Sequence, residues 1–320
     1  MREVVLVTTY RRPEHLYCCL KRIRAAEPHI AVAVFPDRCT ATDFETEVAL
    51  RTFRTGLTQI HTVPDHDYHG NTMNTMEAFR WAYNEGFDRV FYVEDDVMVH
   101  PDFFAWHRAQ HDQWPRIFAT MAWIFNRHAP ITDDVMFQPW YYAIGTCFAR
   151  KKLELVVQHA NPKYYADMPG YVEKTFPGSQ LNTPFGIQHY EQDGLIQRVL
   201  DLDKTQTISP GITKCTHIGS FGYNRGWDSR DELFANCGDF GERCQRLEMF
   251  IGDAYWRAEV FGREIVEREI GHELPKRTFK YKIGLPGGWE TEVVSERSKE
   301  RLPKRINSVS LPQNAIITKV

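Results

Sequence analysis

The chain has 320 residues, of which 42% are hydrophobic and 25% charged, so it can bury a globular core without disulfides or a structural metal. Its seven cysteines are odd in number and form no CxxC pair, which argues against a disulfide framework or a zinc site. The formal net charge is −3; residues 271–320 hold ten Lys and Arg against five Asp and Glu, which gives +5, so residues 1–270 carry −8.

The N-terminal sequence MREVVLVTTY leads directly into a strand-like apolar run rather than a signal peptide. No stretch approaches the roughly 18 apolar residues that a membrane span needs. Together with the scattered cysteines, these features predict a reduced, cytoplasmic protein without a membrane span.

Short apolar runs alternate with helical patterns along the first hundred residues. We predict strands at 3–9, 30–35, 58–63 and 89–96, and helices at 13–26, 43–55 and 71–85. Pro13 suits the first turn of the first helix, and Gly86 suits the end of the third. Strands and helices that alternate at this spacing indicate βαβ units and a mostly parallel sheet covered on both faces.

The second part of the chain continues with weaker signals. We predict strands at 116–124 and 140–150, and helices at 151–160, 190–201 and near 242–260. After Gly271, the short β-like pieces TFKYKIGL and TEVVSE stand among charged and Pro/Gly-rich segments.

The segment FYVEDDVMVHPDFF (91–104) carries the sharpest chemical signal. Glu94, Asp95 and Asp96 end an apolar strand, and ligands of open α/β sheets bind beyond the carboxyl ends of strands. Three adjacent carboxylates repel one another and need a compensating cation, for which oxygen ligands favour Mg²⁺ or Mn²⁺. Such an ion also binds a diphosphate leaving group. A solvated acidic turn is the plain alternative.

The same segment resembles the metal-binding segment of inverting GT-A glycosyltransferases of the N-acetylglucosaminyltransferase I type. The resemblance extends over about residues 3–225, with further similar segments in the family's order: VLVTTYRRPEHLYCCL, AVFPDRC, YYAIGTCFARKKLELV, YEQDGLIQRVL and ISPGITKCTHIGSFG. It implies a Rossmann-like GT-A domain over 1–270, with a nucleotide-sugar half at 1–100 and an acceptor half at 101–270. Residues 271–320 would then form a short basic C-terminal extension.

The resemblance also implies a role for each acid of the motif. Asp96 would bind Mn²⁺ or Mg²⁺. Asp95 would hydrogen-bond the ribose, and Glu94 would bind a hydroxyl of the donor sugar.

Further donor-binding residues follow from the same resemblance. Asp37, at the end of the second strand, would contact the base or ribose of the nucleotide. Arg12 matches a base-contacting arginine, although Arg11 fits that position with a shift of one. Thr8 and Asn74 complete the implied donor site.

An inverting transfer needs a carboxylate that accepts the proton of the attacking hydroxyl. Asp193, in the segment that resembles the family's acidic helix, is the first candidate, and Glu191 is the alternative because Gln192 interrupts the usual pair of acids. An acid interacting with the helix dipole is the structural alternative for Asp193. His217 would bind the metal or the diphosphate, or would be an ordinary loop histidine.

Two other clusters remain ambiguous. DHDYHGN (65–71) has the residue types of a second metal site, but a polar loop is the simpler interpretation. Trp140, Tyr141 and Tyr142 are suited either to stacking on an acceptor ring or to core packing.

The function predicted from the resemblance is metal-dependent transfer of a sugar, from a UDP-sugar with GlcNAc as one option, to a hydroxyl of a glycan or small molecule. The basic extension leaves open a hydroxymethylated DNA base as the acceptor. A nucleotide-sugar-binding module without turnover is the alternative outside enzymes. A nucleotidyltransferase is disfavoured because TTYRRPEH lacks the expected phosphate-binding glycines.

Overall fold

The computed structural model describes residues 1–37, 49, 58–60, 70–123, 135–178, 190–218, 234, 236–260, 279–285, 289–295 and 316–319. The strands are β1 (Glu3–Thr9), β2 (Ala31–Pro36), β3 (Thr58–Ile60), β4 (Arg89–Glu94), β5 (Val97–Val99), β6 (Thr120–Met121), β7 (Val135–Gln138), β8 (Thr146–Ala149), β9 (Thr207–Pro210), β10 (Cys215–His217), β11 (Phe279–Leu285), β12 (Trp289–Ser295) and β13 (Ile316–Lys319). The helices are α1 (Pro13–Ala26), α2 (Gly70–Asn84), α3 (Phe103–Gln113), α4 (Arg150–Val157), α5 (Pro162–Ala166), α6 (Met168–Thr175), α7 (Gln192–Asp203) and α8 (Phe240–Val260). The predicted helix at 43–55 and most of the polar cluster at 65–71 lie outside the described residues.

One eight-stranded sheet in the order β3-β2-β1-β4-β8-β6-β9-β7 forms the centre of the described fold. The strands β3, β2, β1 and β4 pair in parallel, whereas β8 runs antiparallel to both β4 and β6. This mixed, mostly parallel arrangement confirms the predicted α/β, Rossmann-like sheet. Because β1, β2 and β4 are parallel, their carboxyl ends lie at one edge of the sheet.

Helices cover the sheet on both faces, as the unbroken apolar strands predicted. Along β1, Val4 and Leu6 belong to the core under α2, α4 and α7, whereas Val5 and Val7 belong to the core under α1 and α8. Alternate side chains of a strand point to opposite faces, so this strand is buried on both sides.

Two predicted strands are much shorter than expected. The predicted strand at 116–124 is described as far as residue 123, and within that part only Thr120–Met121 is extended. In the predicted strand at 140–150, residues 140–145 are irregular. In the stretch 140–145, a side chain bonds the backbone in place of a neighbouring strand: Tyr141 N–H donates to Gln197 Oε1 at 2.7 Å. A left-handed Gly145 (φ +60°) ends the irregular stretch before β8.

The β-like pieces after Gly271 do form strands. They pair antiparallel in a separate three-stranded sheet in the order β12-β11-β13. Among the described helices, none combines the length and the apolar character that a membrane crossing requires.

Candidate active site

The acidic motif lies at the carboxyl edge of the parallel strands. Glu94 ends β4 beside Thr8 of β1, and Asp95 and Asp96 form the turn that leads into β5. The backbone N–H of Asp95 donates to Thr8 O at 3.1 Å, which fixes the turn against the end of β1. On the other side of β1, Asp37 N–H donates to Thr9 O at 2.8 Å. The strand ends thus bring Asp37, half-buried, to the same edge as the acids.

Arg12 pairs with both aspartates of the acidic turn. Its Nη1 donates to Asp96 Oδ2 at 2.7 Å, and its Nη2 makes a short contact with Asp95 Oδ1. The second oxygen of Asp95 accepts from Thr9 Oγ1 at 2.7 Å and from Tyr10 N–H at 3.4 Å. Asp95 is therefore a fully buried carboxylate whose two oxygens are both bonded by protein donors.

His217 approaches the same turn from a distant part of the sequence. The strands β10 and β5 pair antiparallel, with His217 opposite Val97, and Ile218 N–H donates to Asp96 O at 2.8 Å. This places His217 Nε2 3.3 Å from Asp96 Oδ2. The two residues predicted as metal ligands therefore lie side by side.

Burial and neighbouring charges shift the pKa values of Asp96 and Glu94 in opposite directions. Burial alone would raise the pKa of Asp96, but the Arg12 guanidinium and the His217 ring hold it well below the ordinary value. Burial and the neighbouring Asp96 instead raise the pKa of Glu94. Asp96 is therefore the acid that stays ionised most readily.

The N-terminus of α2 links Glu94 to the helix that carries the candidate base. Asn71 Nδ2 donates to Glu94 Oε1 at 3.2 Å, and the next residue, Thr72, donates to Gln192 Oε1 at 2.6 Å. Asp193 follows Gln192 in the first turn of α7. The same helix end therefore holds Glu94 and brings Asp193 close to it.

Asp193 is half-buried, and its Oδ1 has no hydrogen-bond partner among the described residues. Removal from water raises the pKa of Asp193 to about 7, with further contributions from the negative charges of Glu94 and Glu191. Such a carboxyl accepts a proton readily near neutral pH, as a general base must. Glu191, the alternative candidate, is exposed at the residue that precedes α7.

Two other predicted donor residues have visible contacts within the fold. Thr8 is buried and shares a hydrogen bond with Tyr92 Oη, 3.1 Å from its Oγ1. Asn74 is buried in α2, where its Nδ2 donates to Phe35 O at 2.8 Å and ties this helix to β2. Their direct contact with a donor stays a prediction.

The side chains of the two adjacent arginines lie apart. Arg12, with 19% of its side chain exposed, contacts the acids, whereas Arg11 is exposed, has a left-handed backbone and packs over the Tyr10 ring. The aromatic trio divides as well: Tyr141 and Tyr142 are core residues, and Trp140 is half-buried at the core boundary.

The residues at Asp96 suit a divalent cation. Asp96 Oδ1 is a buried oxygen without a hydrogen-bond partner among the described residues, and the neighbouring imidazole adds a nitrogen donor. A carboxylate oxygen with an imidazole suits Mn²⁺-like ions. Within the described ranges no three His, Cys, Asp or Glu residues are grouped so as to hold a metal ion. A bound diphosphate and water would supply further oxygen ligands.

Three residues near the acids were not predicted from the sequence. Thr9 donates to Asp95, and Tyr92 Oη donates to Glu94 Oε1 at 3.3 Å. Trp123 is half-buried and packs edge-on to the His217 ring, with 6.5 Å between ring centroids. Only the position of Thr9 at the end of a strand gave any signal in the sequence.

Comparisons with known proteins give likenesses to solved structures alone. No family model and no curated protein matches the chain. A mannosyltransferase from Pyrobaculum calidifontis, in complex with GDP-Man and Mn²⁺, is 15% identical with a TM-score of 0.45, over 80% of this chain but only 64% of that one. S. aureus TarS 1–349 with UDP-GlcNAc is 14% identical with a TM-score of 0.44, over 82% and 74% of the two chains.

A synthetase is also among the matched structures. CMP:2-keto-3-deoxy-manno-octonic acid synthetase with CTP is 12% identical with a TM-score of 0.39, over 65% of this chain and 89% of that one. At TM-scores below 0.5, none of these likenesses assigns an activity or a residue role to this chain.

Proposed function

We propose that this protein is a metal-dependent inverting glycosyltransferase that moves a sugar from a nucleotide-sugar to a hydroxyl of a glycan or small molecule. The observation that carries the proposal is the convergence of two groups of side chains: Asp96 lies beside His217 in the acidic turn, and the N-terminus of α2 holds Glu94 next to the start of α7, where Asp193 lies. A UDP-sugar is the first donor to test, and residues 1–270 would form the catalytic domain.

The acidic turn and its neighbours would bind the donor. Asp96 and His217 would hold the divalent cation, which when bound offsets the charge that develops on the leaving diphosphate. Asp37 lies at the carboxyl end of β2, at the edge where nucleotides bind to open α/β sheets. Glu94, positioned by Asn71 and Tyr92, offers a carboxyl group to a sugar hydroxyl.

Asp193 would accept the proton of the attacking hydroxyl. Its Oδ1 has no hydrogen-bond partner among the described residues, and its pKa of about 7 gives it the basicity to take a proton near neutral pH. The half-buried Trp123 offers an aromatic face beside His217 for an adjacent sugar ring.

The first experiment is a screen of UDP- and GDP-sugars for release of the nucleoside diphosphate, with Mn²⁺ or with EDTA. The proposal expects Mn²⁺-dependent release of the diphosphate by the wild type and strong loss in Asp96→Asn. Asp193→Asn and Glu191→Gln then decide which acid is the base. The anomeric configuration of the product, read by NMR, must be inverted; a retained configuration contradicts the mechanism.

The same assay separates the other classes of function. A nucleotidyltransferase would release pyrophosphate from a nucleoside triphosphate, and a binding module would bind the nucleotide-sugar without turnover. Acceptors are compared in parallel: oligosaccharides, small alcohols and hydroxymethylated duplex DNA. If the rate of transfer to DNA is lower for a chain that ends at Gly271 than for the full-length chain, the basic extension helps to bind the DNA acceptor.

A further inference from the structure

The Arg12 guanidinium occupies part of the position that the proposed metal needs. Its two nitrogens bridge the carboxylates of Asp95 and Asp96, and the oxygen of Asp96 that it contacts is also the one nearest His217. The carboxylate–imidazole pair that suits a divalent cation therefore already has a resident cation beside it. Of the four carboxylate oxygens of Asp95 and Asp96, only Asp96 Oδ1 has no hydrogen bond from the described residues.

The contact is built into the fold rather than formed by a mobile surface chain. Arg12 immediately precedes α1, Pro13 occupies the first turn, and Arg12 O accepts the N–H of Leu16 at 3.0 Å. The guanidinium lies mostly out of water, between carboxylates that are buried themselves. Burial opposes the charged guanidinium, but Asp95 and Asp96 raise the pKa of Arg12 further, so the cation is permanent.

We propose that Arg12 is a counter-cation that competes with the divalent cation for Asp96 and moves to the diphosphate when the nucleotide binds. This inference rests on the proposed function and concerns the order of binding. The metal binds weakly to the free protein and tightly once the nucleotide is bound. Arginine is suited to the exchange because its planar fork matches phosphate as well as carboxylate oxygens. A bound diphosphate would pair with the guanidinium of Arg12, and its oxygens would also be ligands of the metal.

The electrostatics favour the same order. In the free protein, a doubly charged ion at Asp96 would lie within contact distance of a guanidinium in a poorly hydrated site, where repulsion between like charges is strong. A bound diphosphate adds negative charge between the two cations. Metal and nucleotide should therefore increase each other's affinity by the same factor.

The test measures Mn²⁺ binding directly, by the EPR signal of free Mn²⁺, with and without UDP or GDP. For the wild type we expect weak binding alone and much tighter binding with the nucleotide. Arg12→Gln should bind Mn²⁺ at least roughly tenfold more tightly than the wild type without nucleotide, because a repelling charge is gone. The same variant should bind UDP more weakly by calorimetry, because it lacks the charge-assisted hydrogen bonds.

Two further variants keep the result interpretable. Arg11→Gln removes the same charge from the adjacent, exposed position and should bind Mn²⁺ as the wild type does. Arg12→Gln combined with Asp95→Asn keeps the net charge of the cluster and replaces the ion pair with neutral hydrogen-bonding groups. It should still bind Mn²⁺ more tightly than the wild type, and it carries the test if Arg12→Gln alone does not fold.

Three outcomes overturn the inference. The first is tight Mn²⁺ binding by the nucleotide-free wild type; the second is equal affinity in wild type and both Arg12 variants. The third is a gain in the single variant that the double variant lacks, which would make net charge the cause. Each leaves the proposed transferase intact if Asp96→Asn abolishes Mn²⁺ binding with UDP present. Absence of Mn²⁺ binding even with a nucleotide would instead contradict the metal dependence of the proposed function.

Discussion

Replacing Asp193 with asparagine should make the protein more stable above neutral pH and, at the same time, nearly inactive. The carboxyl group has its pKa raised from 3.8 to about 7, so the folded state binds its proton more tightly than the unfolded state. As pH rises from about 4 to about 7, the wild type therefore loses stability that an uncharged side chain does not lose. The difference between the two proteins should reach a plateau above about pH 7.

The size of the difference follows from the pKa shift. A shift of about three units corresponds to about 4 kcal/mol at 1.36 kcal/mol per unit, which is an upper bound. Because the side chain is only half-buried, water screens part of this cost, and we expect about 1–3 kcal/mol at pH 8. At pH 4 the stabilities should nearly coincide. In a donor-saturated transfer assay at pH 8, kcat should fall by about 10²–10⁴-fold while donor affinity stays nearly constant.

The assay is urea unfolding at pH 4, 6 and 8, with transfer activity measured on the same preparations. Glu154→Gln is the control, since it makes the same change from carboxylate to amide at an exposed position in α4. It should change stability little at any of the three pH values and leave activity intact. A stability difference for Asp193→Asn that is independent of pH would refute the raised pKa, and full activity would refute the role as base.

Other perturbations have equally definite expectations. Asp96→Asn should lower transfer by at least roughly 10²-fold, and excess EDTA should do the same to the wild type; turnover in EDTA contradicts metal dependence. Gly145→Ala should cost about 1–3 kcal/mol of unfolding free energy, measured by thermal unfolding, and Gly178→Ala should cost less. Both glycines have a positive φ, but a Cβ at Gly145 would lie 2.9 Å from the Cys215 sulfur, whereas a Cβ at Gly178 would have nothing within 4 Å. Arg243→Met should cost about 3 kcal/mol in urea unfolding, because it removes the 2.7 Å ion pair with the buried Glu14. Adding Glu14→Gln to the same variant should recover part of the loss.

Local patterns were sufficient to predict the elements that position the site. The helix at 13–26 and the strand at 3–9 have the predicted bounds, because apolar periodicity and Pro13 act within a few residues. The acids at 94–96 could be placed at the ligand-binding edge from the sequence, because they follow a predicted parallel strand and the carboxyl ends of parallel strands lie at one edge of the sheet. The resemblance added Asp193 and His217 as candidates, and the structure places them near these acids.

Contacts between distant segments could be decided only by the tertiary structure. The pairing of β5 with β10 joins Asp96 to His217 across 121 positions, and no local pattern specifies that register. The irregular stretch at 140–145 escaped prediction because a side-chain acceptor from α7, Gln197 Oε1, binds the backbone N–H of Tyr141 in place of a strand partner. Arg12 was predicted to contact the base of a nucleotide, and no sequence pattern indicated that it pairs with Asp95 and Asp96. Its ion pairs and the raised pKa of Asp193 arise from burial, which depends on what the rest of the chain packs around a residue.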